Sequence, residues 1–181
     1  MVADNAHLQQ HLQQSQQQID QLQQLFARQR DAFRANPMPS AEQRIQWLKA
    51  LSQMLSSHQD ALIKAISQDF SNTYIHPGVS ANIMPSLQGI HYACGHLKKW
   101  MKASRRSVGL AFQPAAAKVV YQPLGVVGVI VPWNYPLFLA MGPLVGALSA
   151  GNRVMIKMSE STPATSQLVK DLLGKIFPED L

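Results

Sequence analysis

The sequence has little that points to secretion. Its one cysteine, Cys94, cannot form an internal disulfide bond, so the cysteine content gives no support for an oxidising compartment. The amino terminus, which carries Asp4, His7 and a row of glutamines, lacks the positive and apolar regions of a signal peptide. We therefore expect a cytoplasmic protein.

Charged residues are scarce as well, at 14% of the chain, and none occurs between Lys118 and Arg153. A membrane span requires about 20 consecutive apolar residues. Five residues interrupt this stretch: Pro123, Pro132, Asn134, Pro136 and Pro143. Strands that are buried on both faces of a parallel sheet have the same uncharged composition. The stretch therefore predicts buried strands and no membrane span.

The net charge of +6 arises from scattered basic residues and one basic cluster. The cluster consists of Lys98, Lys99, Lys102, Arg105 and Arg106. Nucleic-acid binding is one interpretation, but few aromatic residues are present to stack on bases. Because basic side chains stabilise the carboxyl end of a helix, we interpret the cluster as a solvated helix end. We expect no nucleic-acid partner.

The usual nucleotide-binding motifs are missing too, since the sequence contains neither a Gly-x-Gly-x-x-Gly turn nor a P-loop. The remaining glycines predict structural features. Gly142 and Gly146 are spaced for a close contact along a helix, and Gly151 followed by Asn152 predicts a helix end and a turn.

Hydrophobic spacing divides the chain into segments 1–40, 41–107 and 108–181. Within the first, residues 7–34 are rich in glutamine and carry an apolar stripe with steps of three and four positions, in which Ser15 occupies the one polar step. The apolar residues are Leu8, Leu12, Ile19, Leu22 and Phe26. This stripe predicts an amphipathic helix whose apolar side lies on the rest of the protein. A coiled-coil contact is the alternative.

The second segment is predicted to be helical. Ser40 with Gln43 resembles a capping box at a helix start, and Ser57 with Asp60 can restart the helix midway. The apolar side of this region consists of Ile45, Leu48, Leu55, Leu62 and Ile66. A loop at Ser71–Ser80 separates it from helical spacing over residues 82–103.

The third segment changes period. Short apolar runs at Val119–Gln122, Val126–Val131 and Asn152–Lys157 predict strands. Pro136 and Pro163 suit the first position of a helix. The order of strand, helix, strand and helix is typical of a parallel α/β sheet.

Polar residues follow two of these strands, in Pro132–Pro136 and Lys157–Glu160. Loops at the carboxyl ends of neighbouring parallel strands face one crevice, so we expect Asn134 and Lys157 in the same cleft. An asparagine amide donates to an oxygen that becomes negative when a carbonyl is attacked. A lysine ammonium and a glutamate carboxylate together can bind the hydroxyls of a ribose.

Each of these residues also has a purely structural interpretation. An asparagine before a helix is often a cap. If Pro136 is the first helical residue, however, Tyr135 takes the cap position and the Asn134 amide stays available. Lys157 and Glu160 can equally form a surface ion pair near a helix start. From the residues alone both interpretations stay open.

The runs Tyr121–Pro136, Ala150–Glu160 and Thr162–Pro163 resemble the aldehyde dehydrogenase family. The two linked motifs place Asn134 and Lys157 at the right separation, 23 positions apart. From about Leu22 to Leu181 the chain is further similar to the coniferyl aldehyde dehydrogenase branch. The resemblance implies an incomplete Rossmann-like parallel sheet of this family's fold, preceded by N-terminal helices.

The resemblance also implies roles for single residues. Asn134 corresponds to the asparagine of the oxyanion hole, and the cofactor-binding positions are Ile130, Val131, Pro132, Trp133, Lys157, Ser159 and Glu160. In the family reaction a cysteine thiolate attacks the aldehyde, NAD or NADP accepts a hydride, and a glutamate base assists hydrolysis of the thioester. The implied substrate is a small aldehyde, coniferyl or another aromatic aldehyde included. The intact enzyme is expected to be a homo-oligomer without a metal at its site.

Two features depart from the family. The glycine-rich cofactor turn, the catalytic glutamate and the nucleophilic cysteine lie downstream of the region that matches Ile156–Leu181. We therefore expect a truncated chain that lacks the catalytic domain and is inactive alone. Cys94 lies in a helical stretch and is interpreted as a core residue. The segment Asn72–Gly78 also differs from the coniferyl branch.

The alternative function is a noncatalytic helical interaction module or a remnant of a dehydrogenase.

Overall fold

The computed structural model of the protein describes residues 2–71 and 82–181. The order of elements along the chain is α1 (Val2–Ala35), α2 (Ala41–Ser57), α3 (Gln59–Asp69), α4 (Met84–Trp100), β1 (Ser104–Arg106), β2 (Ala117–Val119), β3 (Val126–Ile130), α5 (Pro136–Ala150), β4 (Arg153–Lys157) and α6 (Pro163–Ile176). Helices α2 to α6 pack around the β3–β4 pair, and one hydrophobic core runs through them.

Helix α1 confirms the predicted helix, but a different side of it contacts the rest of the protein. The predicted apolar stripe is exposed at Leu12, Ile19, Leu22 and Phe26. The contacting side carries Gln29, which is buried and donates from Nε2 to the carbonyl oxygens of Val154 and Glu179, at 3.2 Å each. The prediction that the stripe lies on the protein is therefore wrong, because the packing of α1 follows the edge of β4 instead.

Helix α2 begins where the sequence predicted. The Gln43 N–H donates to Ser40 Oγ at 3.1 Å, while Gln43 Oε1 accepts from Asn36 Nδ2 at 3.3 Å. Ser40 is therefore a helix cap, but Gln43 does not return the bond that completes a capping box. The helix ends at Ser57, and α3 follows after His58, which confirms the predicted restart.

The apolar side of these two helices is the centre of the core. Leu48, Leu55, Leu62 and Ile66 are fully buried, as the periodicity predicted. The predicted loop at Ser71–Ser80, with the divergent segment Asn72–Gly78, lies outside the described residues from position 72 onward. Helix α4 then ends three residues earlier than expected, at Trp100. Lys98 in its last turn pairs with Glu42 at 2.8 Å on the surface.

A short antiparallel hairpin precedes the parallel strands. β1 pairs with β2 in the register Ser104↔Val119, so the predicted strand at Val119–Gln122 is wrong except for its first residue. Three-residue strands with exposed side chains carry no alternation of apolar and polar residues. The sequence therefore had no periodic signal for this hairpin.

Strands β3 and β4 pair in parallel with Val126 opposite Arg153 and Ile130 opposite Lys157. Helix α5 connects them, which makes the β-α-β unit of a Rossmann-like fold and confirms the predicted class. The predicted helix contact at Gly142 and Gly146 is not found within the described ranges, because a Cβ atom at either position meets nothing within 4 Å.

The turn between α5 and β4 fixes the start of the parallel pair. Gly151 ends α5 with φ of 88°, as its position predicted. The Asn152 side chain is buried, and its Oδ1 accepts from the N–H groups of Leu124 at 2.6 Å and Gly125 at 3.0 Å. One side chain therefore connects the beginning of β4 to the residues that lead into β3.

Over residues 2–71 and 82–181, none of the helices combines the length and the apolar character that crossing a bilayer requires.

Replacing Gly151 with alanine is expected to destabilise the fold. Its φ of 88° is strained for an L residue, and an added Cβ lies 2.7 Å from Cζ of the buried Arg44 side chain. Gly151→Ala should lower the free energy of unfolding by more than about 1 kcal/mol, measured by urea denaturation. Gly146→Ala is the matched control, and it should stabilise α5 by about 0.5 kcal/mol. Equal stability of the two variants would contradict the conformational argument.

Candidate active site

The parallel pairing brings the two predicted loops to one edge of the sheet. Ile130 and Lys157 are direct partners at the carboxyl ends of β3 and β4. The pairing continues for one more step, because the Val131 N–H donates to the Lys157 carbonyl oxygen at 2.9 Å. Residues 131–135 and 158–162 therefore leave the sheet side by side, which is the usual position of a ligand site in a parallel α/β sheet.

The first loop holds its asparagine away from the helix cap. Helix α5 begins at Pro136 with Tyr135 as its N-cap, and no side-chain cap bond is made there. Asn134 is exposed, and among the described residues its side-chain amide has no hydrogen-bond partner. Because Pro136 is the first residue of α5 and Tyr135 takes the cap position, the Asn134 amide remains available to a ligand.

The same loop presents apolar surface at the edge of the sheet. Ile130 is 84% exposed and Trp133 is 57% exposed, whereas Val131 between them is buried. The Trp133 ring lies against the Phe70 ring, with centroids 6.4 Å apart. Ile130 and Trp133 lie near the Asn134 amide, which does not cap a helix. Together they form a surface that suits a flat, partly apolar ligand.

The second loop carries the predicted charged pair. The Lys157 ammonium donates to Glu160 Oε1, and both side chains are exposed. This hydrogen bond, together with the positive charge of Lys157, lowers the pKa of Glu160 below its ordinary value. The carboxylate therefore remains ionised at neutral pH, with one oxygen engaged and the other able to accept from a ligand hydroxyl.

Ser159 differs from its neighbours in the second loop because it is buried. Its Oγ accepts from the Ser161 N–H at 3.2 Å, and its carbonyl oxygen accepts from the Ser166 hydroxyl at 3.2 Å. The Ser159 side chain thus maintains the turn between Lys157 and α6, while Lys157 and Glu160 face the solvent.

One acidic residue near the second loop was missed by the sequence analysis. Asp69, at the end of α3, accepts from the N–H groups of Ala164 at 2.9 Å and Thr165 at 2.8 Å. It caps α6 from another helix, while Thr162 at the N-cap position makes no side-chain cap bond. The partners are 95 and 96 positions apart, so no local spacing signals this contact.

An apolar groove of about 630 Å³ runs along the other side of β4, between α1 and α6. Its lining includes Gln29, Val154, Lys157, Val169 and Leu181. None of residues 130–134 lines it. The groove therefore reaches the predicted site only at Lys157, and the edge shared by the two loops is the better candidate because it carries the polar side chains.

Two further features bear on the chemistry of the site. Cys94 is half-buried in α4, and burial raises the pKa of its thiol. In the described residues, no group of three or more histidine, cysteine, aspartate or glutamate side chains is arranged to hold a metal ion. The candidate site at the sheet edge carries the Asn134 amide, the Lys157 ammonium and the Glu160 carboxylate.

The chain is similar to several curated proteins. The chain is 68% identical over 180 residues to a probable coniferyl aldehyde dehydrogenase of Pseudomonas aeruginosa, which covers 99% of this chain and 37% of that protein. It is 41% identical over 138 residues to a coniferyl aldehyde dehydrogenase of a Pseudomonas species, covering 76% of this chain and 28% of that one. The chain thus spans about a third of the length of the curated relatives it matches.

Solved structures share the fold of the chain. A substrate-bound AldH of Staphylococcus aureus superposes with a TM-score of 0.83 at 28% identity, over 88% of this chain and 34% of that one. A betaine aldehyde dehydrogenase mutant of the same organism, in complex with NAD+, superposes with a TM-score of 0.72 at 26% identity, over 86% and 31%. The sequence pattern of the aldehyde dehydrogenase family matches residues 2–181. The protein therefore belongs to the aldehyde dehydrogenase family.

Proposed function

We propose that this chain supplies the N-terminal part of an NAD(P)-dependent enzyme that oxidises an aldehyde to the carboxylic acid. The observation that carries the proposal is the shared carboxyl edge of β3 and β4, where Ile130 pairs with Lys157. That edge supports a single site with an uncharged donor on one loop and a charged pair on the other. The similarity to coniferyl aldehyde dehydrogenases supports an aromatic aldehyde as the substrate class.

The exposed pair in the second loop fits a nicotinamide cofactor, NAD or NADP. Lys157 offers ammonium donors, and Glu160 has a carboxylate oxygen that can accept from a hydroxyl, so together they suit the diol of a ribose. Ile130, Val131, Pro132 and Trp133 would line the cofactor channel on the first loop, with Ser159 holding the turn. When it is bound, the nicotinamide accepts the hydride that leaves the aldehyde carbon.

Asn134 is assigned the donor role in the chemical step. Attack on an aldehyde converts its carbonyl oxygen into an oxyanion, and a fixed N–H group stabilises that charge most strongly where water is excluded. A hydrogen bond to a charged acceptor is stronger than one to a neutral acceptor, so the amide binds the oxyanion more strongly than the neutral aldehyde oxygen. The Asn134 amide is available for this role, because the N-cap position of α5 belongs to Tyr135.

The intact enzyme is proposed to be a cytoplasmic homo-oligomer. A second candidate function, a noncatalytic interaction module, is favoured by one observation, namely the apolar stripe on α1 that is exposed at Leu12, Ile19, Leu22 and Phe26. Aldehyde oxidation by the full-length protein with NAD or NADP, followed as absorbance of the reduced cofactor, distinguishes the two. A protein that is folded but inactive with aromatic and aliphatic aldehydes would favour the interaction module.

Asn134→Ala in the full-length enzyme should lower kcat by about 100- to 1000-fold, because one oxyanion donor is lost. The KM for the cofactor should change little, since Asn134 is not on the ribose loop. Tyr135→Phe is the matched control, as it removes a polar group from the adjacent residue and should leave kcat almost unchanged. A fully active Asn134→Ala variant would exclude the assigned role.

Glu160→Gln should raise the KM for NAD or NADP by about tenfold, the loss of one hydrogen bond to a charged acceptor. Glu179→Gln is the control, because Glu179 forms a comparable exposed ion pair with Arg28. The lowered pKa of Glu160 means that its carboxylate is fully present above the ordinary carboxyl range and is lost only as pH falls through the lowered value. Glu160 should therefore not titrate between pH 6 and pH 8. A cofactor KM that changes over this range in the wild type but not in Glu160→Gln would contradict this assignment.

Cys94 should react slowly with thiol reagents. Because burial raises its pKa, the thiolate fraction at neutral pH is smaller than that of a free cysteine. Labelling should accelerate only at alkaline pH, and residues 1–181 alone should not oxidise aldehydes with NAD or NADP. Cys94→Ser is the control for both measurements. Turnover by the 181-residue chain that disappears in Cys94→Ser would show that Cys94 is a nucleophile.

A further inference from the structure

We propose that Asp69 and Phe70, at the carboxyl end of α3, are positioning residues for the two loops of the cofactor cleft. The inference rests on the proposed function, because it concerns the same cleft. Asp69 accepts hydrogen bonds from the start of α6, which directly follows the second loop, and Phe70 lies against Trp133 in the first loop.

The contact with α6 is an ionic cap. The first N–H groups of a helix have no partner inside it, and a carboxylate there is favoured by charge as well as by hydrogen bonding. One carboxylate oxygen of Asp69 accepts from the Ala164 N–H at 2.9 Å, and the other accepts from the Thr165 N–H at 2.8 Å. Since Thr162 makes no cap bond through its side chain, Asp69 is the side chain that satisfies these two groups.

Hydrogen bonds in the turn before α6 connect the start of this helix to the loop that carries Lys157 and Glu160. The Ser166 hydroxyl lies one turn inside α6, and it donates to the Thr162 carbonyl oxygen at 2.6 Å and to that of Ser159 at 3.2 Å. The Thr162 N–H also donates to the Ser159 carbonyl oxygen, at 3.3 Å. Glu160 lies inside this closed turn, so a displacement of the start of α6 displaces the Glu160 carboxylate.

The contact with the first loop is aromatic. The Phe70 and Trp133 ring centroids are 6.4 Å apart with 38° between the ring planes, a tilted arrangement within the range of aromatic pairs. Trp133 directly precedes Asn134 and is 57% exposed, so Phe70 supports one side of a side chain that is otherwise largely in solvent.

The sheet alone does not hold these loops. Pairing between β3 and β4 ends at Ile130 and Lys157, with one further bond from Val131. Beyond that point the relative placement of Asn134 and Glu160 depends on contacts outside the sheet. The end of α3 contacts the first loop and the start of α6, to which the second loop leads, so it sets the spacing between the oxyanion donor and the ribose-binding pair.

The test uses Asp69→Asn in the full-length enzyme. The amide keeps one acceptor oxygen but directs an NH₂ group at the second N–H, so the start of α6 loosens. We expect the KM for NAD or NADP to rise about tenfold, the effect of one charged hydrogen bond, with kcat changed much less. A residue that only stabilised the fold would lower the melting temperature and the active fraction without moving this KM.

Hydrogen exchange supplies a second readout that does not depend on activity. Amides of residues 164–166 should exchange faster in Asp69→Asn than in wild type. Asp60→Asn is the matched control, because it makes the same change in the first turn of α3, at the end of the helix opposite to Asp69. Unchanged exchange, or an unchanged cofactor KM in an active enzyme, would overturn the role of Asp69. An inactive wild type would refute the proposed function, and the exchange experiment would still decide whether Asp69 anchors α6.

Phe70→Leu tests the second contact with the α6 cap intact, and it keeps the inference testable if Asp69→Asn does not fold. Leucine retains apolar volume but removes the ring that meets Trp133. We expect kcat to fall severalfold, because Asn134 is displaced. The cofactor KM should rise less than in Asp69→Asn, because the loop that carries Glu160 keeps its α6 cap. An unchanged kcat would show that Phe70 does not position the first loop.

Discussion

The parallel pairing of β3 with β4 is the interaction on which the rest of the site depends. Its register sets Ile130 opposite Lys157, and one more hydrogen bond carries the alignment to Val131. A shift of one residue would turn every side chain of a strand to the opposite face of the sheet, so the register has to be fixed before the loops can be useful. The buried Asn152 side chain helps to fix it by binding the backbone that leads into β3. The chemistry proposed for Asn134 and Glu160 is therefore set up by packing at the opposite end of the same two strands.

Helix α3 has a larger role than its length suggests. Its apolar side, with Leu62 and Ile66, lies in the core, while its last residue caps α6 and the next residue meets Trp133. Burial therefore fixes the position of this helix, and its carboxyl end carries that fixed position to both loops. A site whose exposed residues must be spaced accurately needs support of this kind, because loops beyond a sheet edge are otherwise held only by their own turns.

Local signals in the sequence were sufficient for the elements that carry the site. Pro136 at a helix start, Lys157 at a strand end and Ser40 at a cap each follow from residue types at adjacent positions, and each lies where it was predicted. Long-range contacts were not accessible. The cap by Asp69 joins residues 95 positions apart, and the side of α1 that packs is chosen by the edge of β4 rather than by the apolar stripe. The β1–β2 hairpin was missed because three-residue exposed strands leave no periodic pattern.

The proposed function requires that the loops after β3 and β4 form one cofactor cleft. A crystal structure of the full-length protein with NAD or NADP bound tests it most directly. The adenosine ribose should lie against Lys157 and Glu160, and the nicotinamide end should extend along the Trp133 loop toward Asn134. A cofactor bound away from this edge, with both loops facing empty solvent, would contradict it.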